Sequence, residues 1–316
     1  MSHNPREAKA SIGEGPRDPE QLVAAGADTP SELPAETRPG KVELTVSDLP
    51  RSIAYYEESV GLRVLSQDRG TATLGSGMRA LLTLIEETGA RPARGHTGLY
   101  HFALLVPERV DLARWLAHSA RDKVPLTGLS DHFVSEALYL SDPDEHGIEI
   151  YWDRPRPMWE GKVASQMTTL PLDVNDLMRE VADDSEVSFA GLPDETVMGH
   201  VHLKVAFIQE TVAFYRDLLG FGLMAELGSQ AAFLGAGGYH HHLGANTWES
   251  AGASPPPPGS AALRQATIEL PDARARDSVL SRLSEGGVQY IDSETEPVIA
   301  DPSGNRIALV IAADPG

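Results

Sequence analysis

The chain has 316 residues, enough for about two domains with real cores. Its 46 acidic against 26 basic residues give a formal charge of −20, which would repel a phosphate backbone, and no basic stripe interleaved with aromatics offsets it; nucleic acid is excluded as a partner on this reading. The absence of cysteine rules out disulfides, thiolate-held zinc, iron–sulfur clusters and thiol nucleophiles, so any metal must be held by histidines and carboxylates.

Residues 1–38 are rich in Pro, Gly, Ala and acids without an apolar period, and predict a disordered acidic tail. The tail has neither the basic start nor the apolar stretch of a secretory signal. No apolar run approaches the roughly 20 residues of a membrane span. Both observations point to the cytoplasm and away from a membrane. Ordered structure is expected from near Lys41, in a first half over 39–154 with modules 39–90 and 97–154.

Val42–Val46 reads as a strand, Arg51–Glu57 as a helix, and Gly61–Val64 opens the next extended run. Module two repeats the order with strand His101–Val106, helix Asp111–Ala117 and extended runs Glu136–Leu140 and Gly147–Tyr151. Residues 155–196 read as a linker holding one helix, Val174–Val181, with Asp173 as its N-cap. The second half, 197–316, holds modules 197–249 and 262–312, joined by the stiff Pro255–Pro258 loop. The fourth module runs from strand Arg264–Leu270 through helix Ala273–Ser284 to Ile307–Ile311.

The halves are copies. Glu43 matches His202 and Asp142 matches Asp301, both at an offset of 159, with the segments around each pair in the same register. The phrase Leu49-Pro-Arg-Ser-Ile-Ala-Tyr-Tyr, its echo Thr211-Val-Ala-Phe-Tyr, and the Asp-Pro turn before Gly147-Ile-Glu-Ile150 resemble the vicinal-oxygen-chelate superfamily. Glyoxalase I, fosfomycin-resistance enzymes and type I extradiol dioxygenases belong there, and the four-module catechol 2,3-dioxygenases resemble this chain most. The resemblance covers about residues 40–312. It implies an α+β fold of four βαβββ modules forming two open, cup-shaped mixed-sheet barrels, each made by two modules.

In that family one ligand lies on the first strand of one module, and two on the first and last strands of its partner. The matching first-strand positions here are Lys41, His101, His200 and Gln265; the last-strand positions are Glu149 and Ala308. Lys and Ala offer no donor, so the resemblance implies a metal on His101, Glu149 and His200. It also implies that module two pairs with module three, and module one with module four. Two imidazoles and a carboxylate suit Fe(II), with Mn(II) or another divalent metal as alternatives. On its own, each strand histidine is more often a hydrogen-bonded polar residue than a ligand.

The same resemblance assigns acid–base chemistry to His241, with His240 and His242 beside it in the substrate pocket, and substrate or oxygen contacts to His132 and Tyr139. In the repeat alignment His240, His241 and His242 face Ala80, Leu81 and Leu82, so the scaffold does not require them. The bland readings are a polar strand end or an adventitious surface metal site for the three histidines and a core aromatic for Tyr139. His202 shares a strand face with His200 and is expected to line the pocket. His96 falls in a loop, His118 on a polar helix, and His146, Asp142 and Asp301 in turns. There is neither a phosphate-binding Gly-rich loop nor a Gly-x-Ser-x-Gly elbow.

The expected activity is oxygen-dependent cleavage of a catecholic ring next to its hydroxyls, with the catechol and O2 as partners. The alternatives are a glyoxalase-like lyase, a fosfomycin-resistance-like transferase, and a non-catalytic binding protein of the same fold. A fused four-module chain can complete its cup alone, which leaves a homo-oligomer open.

Overall fold

The computed structural model describes residues 32–182, 189–290 and 296–313. Module one is strand Arg38–Val46, helix Leu49–Tyr55 running into a wider turn Tyr56–Val60, and strands Arg63–Asp68, Thr71–Ser76 and Arg79–Glu86. Module two is strand Gly98–Leu105, helix Arg109–Asp122, and strands Gly128–Asp131, Ser135–Ser141 and Gly147–Asp153. Module three is strand Val197–Lys204, helix Ile208–Val212 with its wider turn Ala213–Leu219, and strands Gly222–Glu226, Ala231–Gly235 and Leu243–Asn246. Module four is strand Leu263–Leu270, helix Ala273–Glu285 and strands Val298–Ala300 and Arg306–Ile311; residues 291–295 lie outside the described residues.

Local chemistry sets these boundaries. The Asp48 carboxylate accepts from Arg51 N at 3.0 Å and starts the first helix, and Asp272 does the same for Ala275 N at 2.8 Å in module four; each cap is worth roughly 1 kcal/mol. The helical runs of modules one and three both end on a glycine in the left-handed region, Gly61 (φ 91°) and Gly220 (φ 96°), where a side chain would be strained.

The strands form two large sheets. Modules four and one share a seven-stranded sheet, and modules two and three share a nine-stranded one. In each, the first strands of the two modules run antiparallel at the centre: Glu43 stands opposite Gln265, and His202 opposite His101. Each first strand also runs parallel to the last strand of its own module. The sheets curl into two cups, the architecture that the family resemblance implies. Apolar residues from all four modules, among them Leu44, Phe102, Leu203 and Ile268, join one core. Trp115, with no exposed surface, donates from Nε1 to Val60 O at 3.0 Å and ties the module-two helix to module one; truncating such a residue costs about 3–5 kcal/mol.

The duplicated turns are hydrogen-bond copies of each other. Asp142 accepts from the Asp144 and His146 amides and from Tyr56 Oη. Asp301 accepts from the Ser303 and Asn305 amides and from Tyr215 Oη.

Three expectations change. The tail over residues 1–31 lies outside the described residues, but order begins ahead of Lys41: the amides of Glu32 and Leu33 donate to Gly220 O, and Leu33 is buried. His118 is buried rather than on a polar face, with Nε2 at 3.3 Å from Ser59 O and its ring stacked on Phe189. The segment after residue 154 is more than a linker. It contains the helix Val174–Met178 that Asp173 caps, a second short helix Val163–Gln166, and Leu170–Pro171 paired onto strand Gly128–Asp131. Trp159, Val163 and Met167, spaced by four, pack on Met224, Ala225 and Phe233 of module three.

Candidate metal centre

His101 and Glu149 sit on the first and last strands of module two, and His200 on the first strand of module three, so the antiparallel junction brings all three into one cup. His101 Nε2 lies 3.2 Å from His200 Nε2, and the Glu149 Oε2 atom is 3.0 Å from each nitrogen. Among the described residues this is the one cluster of three such donors close enough to hold a cation, and all three are buried.

The donor spacing decides what the cluster fits. Bonds of about 2.1 Å at right angles separate ligands by about 3.0 Å, and tetrahedral ones by about 3.4 Å. The observed separations match one face of an octahedron. Two buried imidazole nitrogens at 3.2 Å need either a proton or a cation between them. Burial alone would raise the Glu149 carboxyl, but the adjoining His200 and His101 outweigh it and hold it well below the usual carboxylate range. Burial lowers His200 below the ordinary imidazole value, outweighing the Glu149 carboxylate that raises it. A divalent metal binds the carboxylate ionised and the imidazoles neutral, and both directions run that way.

A pocket of about 560 Å³, open solvent at its mouth included, opens above the cluster. His241, His202, His132 and Tyr139 supply its polar surface; Met167, Leu227, Phe233 and Trp248 supply apolar walls. The Tyr139 hydroxyl and His132 Nε2 are 2.7 Å apart, while His132 Nδ1 lies 3.0 Å from Thr168 O. A carbonyl can only accept, so His132 carries its proton on Nδ1 and Tyr139 donates to Nε2. Asn246 Nδ2 is 3.1 Å from His202 Nε2, which places the His202 proton on Nδ1. Burial keeps His202 and His241 well below the ordinary imidazole value, and neighbouring histidines add to this.

His240 and His242 do not line the pocket. His240 is fully buried behind His241, with its Nδ1 at 2.8 Å from His241 Nδ1 and its Nε2 at 2.8 Å from Asp153 Oδ1. His242 turns back to accept from Ala236 N at 3.1 Å and stacks on Tyr239; burial lowers its pKa to about 3. The pairing of Val201 with Leu243 and of Val42 with Leu82 moves the repeat alignment by one residue, so His241 stands where module one has Ala80. His242 N is thereby free to bond Leu234 O just ahead of the strand.

Two features escaped the sequence reading. Asp153 follows Glu149 by four along one strand, and period-two alternation puts Glu149, Tyr151 and Asp153 on one face. Tyr239 Oη donates to Asp153 Oδ2 at 2.8 Å, and Tyr151 Oη is 2.8 Å from Tyr239 Oη. The other feature is Gly244. It occupies in module three the place Glu149 holds in module two, since His202 pairs with Gly244 as Ala103 pairs with Glu149. A Cβ there would come within 2.8 Å of the His202 ring. A glyoxalase-like lyase, which would use a second carboxylate on the last strand of module three, meets this glycine there.

The Glyoxalase/Bleomycin resistance protein/Dioxygenase superfamily matches the chain twice, over residues 38–150 and 197–309. "Catechol-2,3-dioxygenase" of Bacillus subtilis (strain 168) is 41% identical over 285 residues, which span 87% of this chain and 98% of that protein. A crystal structure provisionally assigned as a dioxygenase of Bacillus subtilis subsp. subtilis str. 168 overlays with a TM-score of 0.60 at 15% identity, covering 91% of this chain and 86% of that one. Glyoxalase I from Zea mays overlays at 0.54 with 18% identity, covering 87% and 92%. At such identities the overlays speak for the fold alone. No helix among the described residues is long and apolar enough to cross a membrane.

Proposed function

The chain belongs to the Glyoxalase/Bleomycin resistance protein/Dioxygenase superfamily, and from that premise we propose that it is a metal-dependent extradiol dioxygenase that opens a catecholic ring beside its hydroxyls with O2. The observation that carries this reading is three buried donors, 3.0–3.2 Å apart, at the base of an apolar pocket that also holds His241 and Tyr139. The near full-length likeness to "Catechol-2,3-dioxygenase" supports the same chemistry.

His101, Glu149 and His200 would hold the metal, which we assign as Fe(II), with Mn(II) the nearest alternative for this donor set. When bound, such a metal supplies Lewis acidity toward two vicinal oxygens and electron exchange with O2. The protein's own residues do the rest. Phe233, Trp248, Met167 and Leu227 grip a flat ring and keep water from it. His241, held neutral by burial, takes the proton of one catechol hydroxyl and later returns it. Tyr139, oriented by His132, faces the same space and directs its oxygen lone pairs to the substrate.

Other chemistries of the fold find less support. The site has Gly244 where a lyase would need its opposing carboxylate. A phosphonate substrate calls for a cation, and among the described residues no Lys or Arg lines the pocket. The cup is complete within one chain and requires no second copy.

The test is anaerobic loading with Fe(II), followed by oxygen uptake and coloured ring-fission product across a panel of catechols. One O2 consumed per product formed is expected. Bound iron without uptake on any catechol would overturn the reading.

A further inference from the structure

We infer that Asp153 and His240 are positioning residues that fix the tautomer of His241, so that its Nε2 lone pair points to the substrate. This rests on reading the pocket as the catechol site. Asp153 Oδ1 lies 2.8 Å from His240 Nε2, and Asp153 Oδ2 accepts from Tyr239 Oη at 2.8 Å. A carboxylate can only accept, so His240 Nε2 carries a hydrogen. We take His240 as the neutral imidazole, whose Nδ1 is then bare. The only hydrogen available in the 2.8 Å contact between the two Nδ1 atoms is therefore the one on His241. With its proton on Nδ1, a neutral His241 offers a lone pair at Nε2.

The surrounding architecture is built to keep this chain of bonds still. His240 has no exposed surface and packs between Trp159, Tyr151 and Tyr239, so it reaches no substrate itself. Because Tyr239 gives its hydrogen to Asp153, Tyr151 must give its own to Tyr239. The Tyr151 hydroxyl crosses the module-three strand at Gly199, where a Cβ would come within 1.9 Å of it. The carboxylate thus reaches His241 from module two, across the module junction, along a route separate from the three clustered donors.

When His241 accepts a hydroxyl proton at Nε2 it becomes an imidazolium. Its Nδ1–H then points along His240 to the Asp153 carboxylate, which favours the charge electrostatically. The accepted proton stays on Nε2 until it is returned, and no atom of Asp153 or His240 is consumed. The arrangement orients a base in the way a buried carboxylate orients the histidine of a hydrolase triad.

The deciding variant is Asp153→Asn, which keeps the shape. Its amide would donate to His240 Nε2 while its oxygen still accepts from Tyr239. His240 would then donate from Nδ1, and His241 would carry its proton on Nε2 and lose its lone pair toward the substrate. In ¹⁵N spectra of metal-free protein, native His241 is expected as the Nδ1–H form and the variant as the Nε2–H form. In iron-loaded enzyme, kcat is expected to fall by about 10²-fold, within the range of a lost general base, with bound iron and KM changed by less than about twofold. Asp153→Ala, which removes the acceptor outright, should lower kcat at least as far with the same iron content. A native Nε2–H tautomer, or an Asp153→Asn enzyme with unchanged kcat, would overturn the inference. If the native protein cleaves no catechol, the dioxygenase reading fails, while the tautomer measurement still decides the positioning claim.

Discussion

The two cups of this molecule share a backbone plan and differ in what it holds. Where the cup of modules two and three has His200, His101, Glu149 and Gly244, the cup of modules one and four has Lys41, Gln265, Ala308 and Thr83 at the equivalent pairings. His202 is matched by Glu43, whose carboxylate pairs with Lys41 Nζ at 3.0 Å. The shared parts are those that shape the modules: Gly61 and Gly220 ending the helical runs, and the Tyr56–Asp142 and Tyr215–Asp301 bonds bracing the turns. The scaffold is common to both cups, while three donors from two halves converge in only one of them among the described residues. A cup is thus a frame that the fold supplies, and a handful of inward strand positions decide whether it can bind a metal.

The largest effect should come from erasing that contrast. His200→Lys gives the active cup the residue of its counterpart, and activity should fall at least ~10³-fold, the several kcal/mol a catalytic metal supplies; steady-state oxygen uptake reads this. Next is pH. Burial keeps His202 and His241 well below the ordinary imidazole value and His242 at about 3. The unfolded chain therefore binds more protons than the folded one below about pH 6.5. Stability of the metal-free protein is full above that pH and lost as pH falls, by up to about 2 kcal/mol at pH 5 for each histidine that stays neutral. Melts from pH 8 to 5 should show the loss, and a flat profile would contradict it.

Gly199→Ala should destabilise by about 1–3 kcal/mol in denaturant titrations, because a Cβ at 1.9 Å from Tyr151 Oη must displace that side chain beside His200. The smallest effect belongs to the other cup. Lys41→Ala breaks a partly exposed ion pair and should cost less than about 1 kcal/mol without changing oxygen uptake.

Much of this was readable in the sequence because repetition and strand periodicity are properties of sequence. The constant offset of 159 exposes the duplication, and the placement of His101, Glu149 and His200 on different modules, once the family resemblance marks them as ligands, predicts which modules meet. What escaped reading depends on packing. Trp159, Val163 and Met167 line one face at helical spacing, yet the helix proper covers only Val163–Gln166, too short for periodicity to mark. Asp153 shares the face of Glu149, but its bond to His240 forms only when the turn ahead of Leu243 folds back against module two. That turn is one residue longer than its module-one counterpart, and this length difference misaligned the three histidines.

The central claim is that one cup holds a metal and the other does not. Anaerobic titration with Fe(II), read as iron per chain after desalting, tests it directly on the native protein and on Glu149→Ala. The account predicts one iron per native chain and close to none in the variant. Two irons per native chain, or one iron retained by Glu149→Ala, would contradict it.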